Sequence, residues 1–267
     1  MIPRSDDGPV PLKQEFLADL SVEGEENDDA LIEKLRARAC DPGRRFDTAD
    51  LPVSWIAVRY GSAHVEQLQD VFRSYSSDGT VQLKSDVAEV TGYYADAPRG
   101  PLFPPISVAD VEEAERRIGR RLPGLLRRVY TEVADGGFGP DSGLASLTDG
   151  NRAPGHLTDW PSAVGVRERN RTRGVPASWL HLAYGGCTME WHLSLAAVGN
   201  PVLLYDNDGW VPHWDEDAHD GLRHATASLR RWLWTWADGG DVWDEALNRC
   251  SPACQGREDE RRGSDDH

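Results

Sequence analysis

Apolar positions recur at helical spacing in four stretches of this chain, and between the third and fourth the pattern changes to short runs broken by turn residues. Behind Asp29, a residue fit to cap a helix, Leu31, Ile32, Leu35 and Ala39 fall on one face until Asp41-Pro42-Gly43 ends the run. Ser107 opens a second run in which Val111, Ala114, Ile118 and Leu122 share a face, and it predicts a helix over 108–118 closed by Gly119. Leu122-Pro123 then breaks the chain. Pro123 stands where a first-turn proline is tolerated, ahead of Leu125, Leu126, Val129, Tyr130 and Val133. Asp135-Gly136-Gly137 stops this third helix, because glycine adopts the left-handed cap conformation easily. The fourth is expected over 225–237, with Leu229, Trp232, Leu233 and Trp236 on one face.

From Phe138 onward the expected strands are 143–147, 180–183, 188–195 and 201–205, with Asn207-Asp208-Gly209 as a tight-turn signal before Trp210-Val211. Residues 148–178 read as a loop with a short helix around 160–169. Together these elements predict an α+β fold, a mainly antiparallel twisted sheet with helices packed against it.

Outside this frame the pattern is weaker. Residues 1–29 carry nine acidic residues against Arg4 and Lys13 and read as a disordered acidic arm, and 30–52 as a leading helix and linker. In 53–105, residues 53–58 alternate like a strand, 65–75 look helical and 81–94 are β-rich, so a small ββ or βαβ insertion of unknown role is expected. Pro98, Pro101, Pro104 and Pro105 bound it. A single domain is then expected over 106–248, followed by a polar tail, 249–267, expected to be disordered.

The charge balance narrows the choice of partners. Among 267 residues, 45 are acidic and 29 basic, a net charge of −16, which repels phosphate backbones and anionic lipid and attracts basic surfaces. Nucleic acid and membrane are therefore not expected partners. No run reaches the roughly 18 apolar residues of a membrane span, the first residues lack a secretory apolar core, and the four cysteines are few for a disulfide scaffold, so the cytoplasm is the expected compartment.

The densest polar cluster lies at 206–220: Asp206, Asp208, Asp215, Glu216, Asp217 and Asp220, no lysine or arginine, and Trp210 and Trp214 interleaved. Aromatic anchors among carboxylates suit recognition of an arginine- or lysine-rich protein surface, and these eight residues are the candidate partner-binding set. A solvated loop is the plainer reading of the same residues, with both tryptophans in the core. His213, His219 and His224 nearby match no ligand motif, and Cys250 with Cys254 forms a lone CxxxC pair, so no metal or cofactor is expected. With no GxSxG elbow, no phosphate loop and no dinucleotide fingerprint, no catalytic residue is assigned and a non-enzymatic protein is expected.

The run Ile106-Ser107-Val108-Ala109-Asp110-Val111-Glu112-Glu113-Ala114-Glu115, continuing through Ile118-Gly119, Leu122-Pro123, Leu126, Tyr130 and Asp135-Gly136-Gly137-Phe138-Gly139-Pro140, resembles the opening signature of the SUKH superfamily. Tyr184-Gly185-Gly186-Cys187-Thr188 with Trp191 resembles its middle strand pair, and Leu229 with Trp232-Leu233-Trp234-Thr235-Trp236 its closing helix. Many bacterial members carry a leading helix like the one from Leu31, joined almost directly to the motif, whereas about fifty residues intervene here. The resemblance implies an immunity protein that binds a cognate toxin domain, commonly a basic nuclease, and occludes its active site. The alternative it implies is a scaffold or regulator linked to cell-wall or stress signalling. Neither reading fixes an oligomeric state.

Overall fold

The computed structural model describes residues 28–41, 44–45, 50–52, 72–75, 80–83, 99–141, 143–148, 162–171, 175–186, 188–206 and 222–248. In chain order these form α1 (Asp28–Ala39), β1 (Asp50–Pro52), β2 (Phe72–Tyr75), β3 (Thr80–Leu83), α2 (Val108–Ile118), α3 (Gly124–Arg128, continued by a π-helical turn over Val129–Val133) and α4 (Ala163–Asn170). There follow β4 (Trp179–Tyr184), β5 (Met189–Ser194), β6 (Val202–Asp206), β7 (Leu222–Thr226), α5 (Leu229–Ala237) and α6 (Val242–Asn248). Strands β4-β5-β6-β7 make a four-stranded antiparallel sheet in sequence order, and β1-β3-β2 a separate three-stranded antiparallel one. The fold is α+β, as the periodicity predicts.

The helix boundaries follow local chemistry. Ser107 caps α2 by accepting from the Asp110 N–H, while the Asp110 carboxylate accepts from the Ser107 N–H, and Gly119 ends the helix in the left-handed region at φ 74°. The chain then turns at Leu122-Pro123, where the buried Glu115 carboxylate accepts from the Leu122 N–H at 2.8 Å and from Arg127 at 2.7 and 2.8 Å. Through the π turn, Ala134 donates back to the Val129 carbonyl, and Tyr130 within that turn is fully buried and donates its hydroxyl to the Ala145 carbonyl at 3.0 Å.

The glycine-rich loop after α3 is held on both sides. A Cβ on Gly136, which sits at φ +80°, would come within 2.5 Å of the Leu144 carbonyl oxygen, so only glycine fits. Beside it the buried Asp135 carboxylate accepts from the Ser146 hydroxyl at 2.6 Å and the Leu147 N–H at 2.8 Å. At the far end, Asp141 accepts from the indole N–H of Trp191 at 2.5 Å and of Trp243 at 2.8 Å, joining the loop to β5 and α6.

One core unites the helices with the four-stranded sheet. Leu31, Ile32 and Leu35 of α1, Val111 and Ile118 of α2, Leu126 and Tyr130 of α3, and Trp232 and Trp236 of α5 pack on the sheet face formed by Leu180, Leu182, Trp191, Leu193, Val202 and Leu204. Phe138 lies 5.9 Å from Trp236, and Trp191 lies 5.6 Å from Trp232, by ring centroids. The first helix is tied to α5 by Asp28 with Arg230, Lys34 with Asp238, and the Arg38 guanidinium 3.9 Å over the Trp236 ring. The two ends of the 46–98 excursion meet: Arg45 donates to the Gly100 carbonyl at 2.7 Å, and the Gly100 N–H to the Cys40 carbonyl at 3.3 Å.

Several expectations change. Residues 222–226 pair with β6 as a fourth strand, and the last periodic helix starts only at Leu229, because Ser228 is extended and caps it through the Arg231 N–H. Residues 72–75, within the stretch that reads as helical, form a strand paired with β3. Of 143–147 only an isolated bridge forms, Leu144 with Ala183. Helix α6 was not expected, and α1 takes in Asp28 and Asp29 from the acidic arm. The expected strand over 53–58 and the arm and tail beyond these helices lie outside the described residues.

Candidate functional site

The sheet has a second buried face, and its chemistry differs from the core. Strand β5 is central, and five of its six residues are buried, so alternation along it distributes side chains between two covered faces rather than between core and water. Trp191 and Leu193 enter the core; Glu190 and His192 point the other way. On β4, His181 stands directly opposite His192, and a register shift between His181 and Ala183 brings Tyr184 opposite Glu190. That irregularity keeps Leu180, Leu182 and Ala183 in the core while His181 and Tyr184 stay together on the second face, 4.4 Å apart by ring centroids. Trp179, Leu203 and Tyr205 complete this face as an apolar cluster, with Trp179 5.7 Å from His192 and 5.9 Å from Tyr205.

Three potential metal ligands converge there. His181 Nδ1 lies 3.4 Å, and His192 Nε2 3.1 Å, from Glu190 Oε2, and one donor atom from each of the three residues lies within 4.8 Å of the others. Both histidines are about 1% exposed, yet none of their four ring nitrogens meets hydrogen-bond geometry with a neighbour. Asn170 of α4 approaches the same oxygen at 3.4 Å through Nδ2.

Burial shapes the protonation states. It pushes the His181 imidazole below its ordinary value, outweighing the nearby Glu190 carboxylate. For Glu190 burial acts in the opposite sense, but the two imidazoles outweigh it and hold the carboxyl well below the usual carboxylate range.

Of the eight residues expected to form a partner-binding face, Asp206 is the one the structure describes. It ends β6 half-buried and accepts from the Thr188 hydroxyl at 2.8 Å, a contact that braces the β5–β6 ladder at its end. Asp208, Trp210, Trp214, Asp215, Glu216, Asp217 and Asp220 lie outside the described residues. Family models, curated proteins and solved structures give no match to this chain. Among the described residues, no helix is long and apolar enough to cross a membrane.

His181, Glu190 and His192 were not singled out from the sequence. Glu190-x-His192 carries a signal, since a two-residue spacing on a strand places both side chains on one face. The third member becomes visible only through the β4–β5 register, which no linear spacing reports.

Proposed function

We propose that this is a non-enzymatic, SUKH-like immunity protein that binds a basic toxin domain and occludes it. The observation that carries this reading is the convergence of the three motif-bearing segments on one core. Phe138 of the glycine-rich loop packs near Trp236 of the closing helix, and Trp191 of the middle strand packs on Trp232. Asp141, directly after the Gly-Gly-Phe-Gly-Pro run, bonds both Trp191 and Trp243. Residues separated by 102 positions thus act as one frame, which is what a resemblance spread over 106–240 requires if it reflects common architecture rather than coincidence of composition.

The net charge of −16 supports a basic partner, because opposite potentials speed encounter and disfavour wrong partners. The acid-rich 206–220 segment, which begins at the last residue of β6, is the segment we assign to recognition, with 53–104 as a second contact element. The test is tagged co-purification from the native host at low and high salt, with mass spectrometry of what is retained. Recovery of a basic toxin domain, weakened by salt and by the triple substitution Asp215→Asn, Glu216→Gln, Asp217→Asn, is the expected result. Recovery only of wall-synthesis or signalling proteins would replace immunity with the scaffold reading.

A further inference from the structure

We infer that His181, Glu190 and His192 form a binding site for one divalent transition-metal ion of the zinc class, buried on the second face of the four-stranded sheet. The inference stands apart from the immunity reading, since it concerns neither the acidic segment nor a protein partner.

Geometry carries it first. Ligands held about 2.0–2.2 Å from a zinc ion at tetrahedral to octahedral angles stand about 3.0–3.5 Å from one another. The two imidazole nitrogens stand 3.1 and 3.4 Å from the Glu190 oxygen, and all three donors fall within 4.8 Å. The donors are thus close together without being satisfied by hydrogen bonds to one another, as ligands awaiting a common ion are.

Energetics supports it independently. Two fully buried imidazoles with no hydrogen-bonded nitrogen represent a desolvation cost that native cores rarely leave uncompensated. A cation coordinated by both rings and the carboxylate would satisfy one nitrogen on each ring and the charge of Glu190 together. Asn170, reaching Glu190 from α4, is placed to orient the carboxylate from outside the ligand set. Two imidazoles and one carboxylate suit zinc or its borderline neighbours over calcium or magnesium, which take oxygen ligands. The ion would clamp β4 to β5 at the His181–His192 pair, beside the β4 irregularity.

The experiment uses the full chain, stripped with chelator and titrated with Zn²⁺ by calorimetry, with thermal unfolding and metal content measured in parallel. The expected result is one equivalent bound, a raised Tm, and retention of the ion through gel filtration. His192→Gln and Glu190→Gln, checked for native far-UV circular dichroism, should each weaken Zn²⁺ at least about tenfold, since even outer-shell changes cost that much. Cys250→Ser/Cys254→Ser should bind like the parent. Should the histidine and glutamate variants fail to fold, the Co²⁺-loaded parent gives the second readout: a nitrogen- and oxygen-ligand spectrum without sulfur charge-transfer bands. No retained metal and no Tm shift with Zn²⁺, Co²⁺, Ni²⁺ or Mn²⁺ would overturn the site, as would undiminished binding by folded ligand variants or binding lost with the cysteines.

Discussion

Tyr130 should make this protein measurably alkali-sensitive, and its replacement by phenylalanine should remove about half of that sensitivity. The phenol lies fully buried in the π turn of α3 and donates to the Ala145 carbonyl; burial first, and the nearby Asp135 second, push its pKa well above the ordinary tyrosine value. Tyr205, on the second sheet face, is pushed up to about 12 by burial and by Glu190 and Asp206. In the unfolded chain both phenols release their protons near pH 10. Above that pH the unfolded state therefore binds fewer protons than the folded one, and the stability each tyrosine contributes below pH 10 is lost as pH rises toward its folded value. Each proton costs about 1.4 kcal/mol per pH unit, so between pH 9 and pH 11 the two together should remove roughly 2.5–3 kcal/mol. Tyr130→Phe should cost about 1–2 kcal/mol at pH 8, for the lost bond and the poorly satisfied Ala145 carbonyl, and lose only about half as much as the parent between pH 9 and 11. Urea unfolding followed by circular dichroism at stepped pH measures both numbers, and tyrosinate absorbance titrates the phenols directly. If all tyrosines titrate together near pH 10, or if Tyr130→Phe keeps the parent slope, the burial argument fails.

Asp141 gives a second test. Asp141→Ala removes the acceptor for two indole N–H groups, one on the fully buried Trp191, and places alanine at φ 53°, so a loss of about 2–4 kcal/mol in urea unfolding is expected. Asp141→Asn keeps an acceptor and tolerates the left-handed backbone while shedding a carboxylate whose pKa burial raises, so it should stay within about 1 kcal/mol of the parent. Glu115→Ala should cost about 2–3 kcal/mol by the same assay. It strands the Leu122 N–H and breaks the Arg127 pair, and the partial exposure of Arg127 (23%) keeps the figure at the low end for a buried pair. Gly136→Ala forces a Cβ against the Leu144 backbone at positive φ and should abolish soluble expression, whereas Gly119→Ala, equally left-handed but with open space around it, should cost only about 1 kcal/mol in Tm-derived stability.

The elements that the sequence made legible are those whose local chemistry and tertiary environment agree. For α2 the cap residue Ser107, the period of Val111, Ala114 and Ile118, and the stop at Gly119 all indicate one helix, and the structure has it. Where the two levels conflict, the reading failed. Leu222–Thr226 holds alanine and arginine in place of a β-branched run, and it is a strand because β6 offers it an unpaired edge. Val242–Asn248 is too short for its period to register, and it is fixed by Trp243 bonding Asp141 and by Val242 and Ala246 entering the core. The His181–Glu190–His192 cluster was hidden for another reason: both flanking histidines lie in strands buried on both faces, where a polar residue breaks no alternation that a linear scan would flag.

The bridging of Arg45 and Cys40 to Gly100 also bears on how this chain can vary in length. The chain leaves the described frame after Arg45 and re-enters it before Gly100 at one stitched point. Loop closure grows only logarithmically, about 0.6 kcal/mol for each doubling of length. The closure term at this point therefore changes little with length, and chains sharing the frame are expected to tolerate different lengths between Arg45 and Gly100.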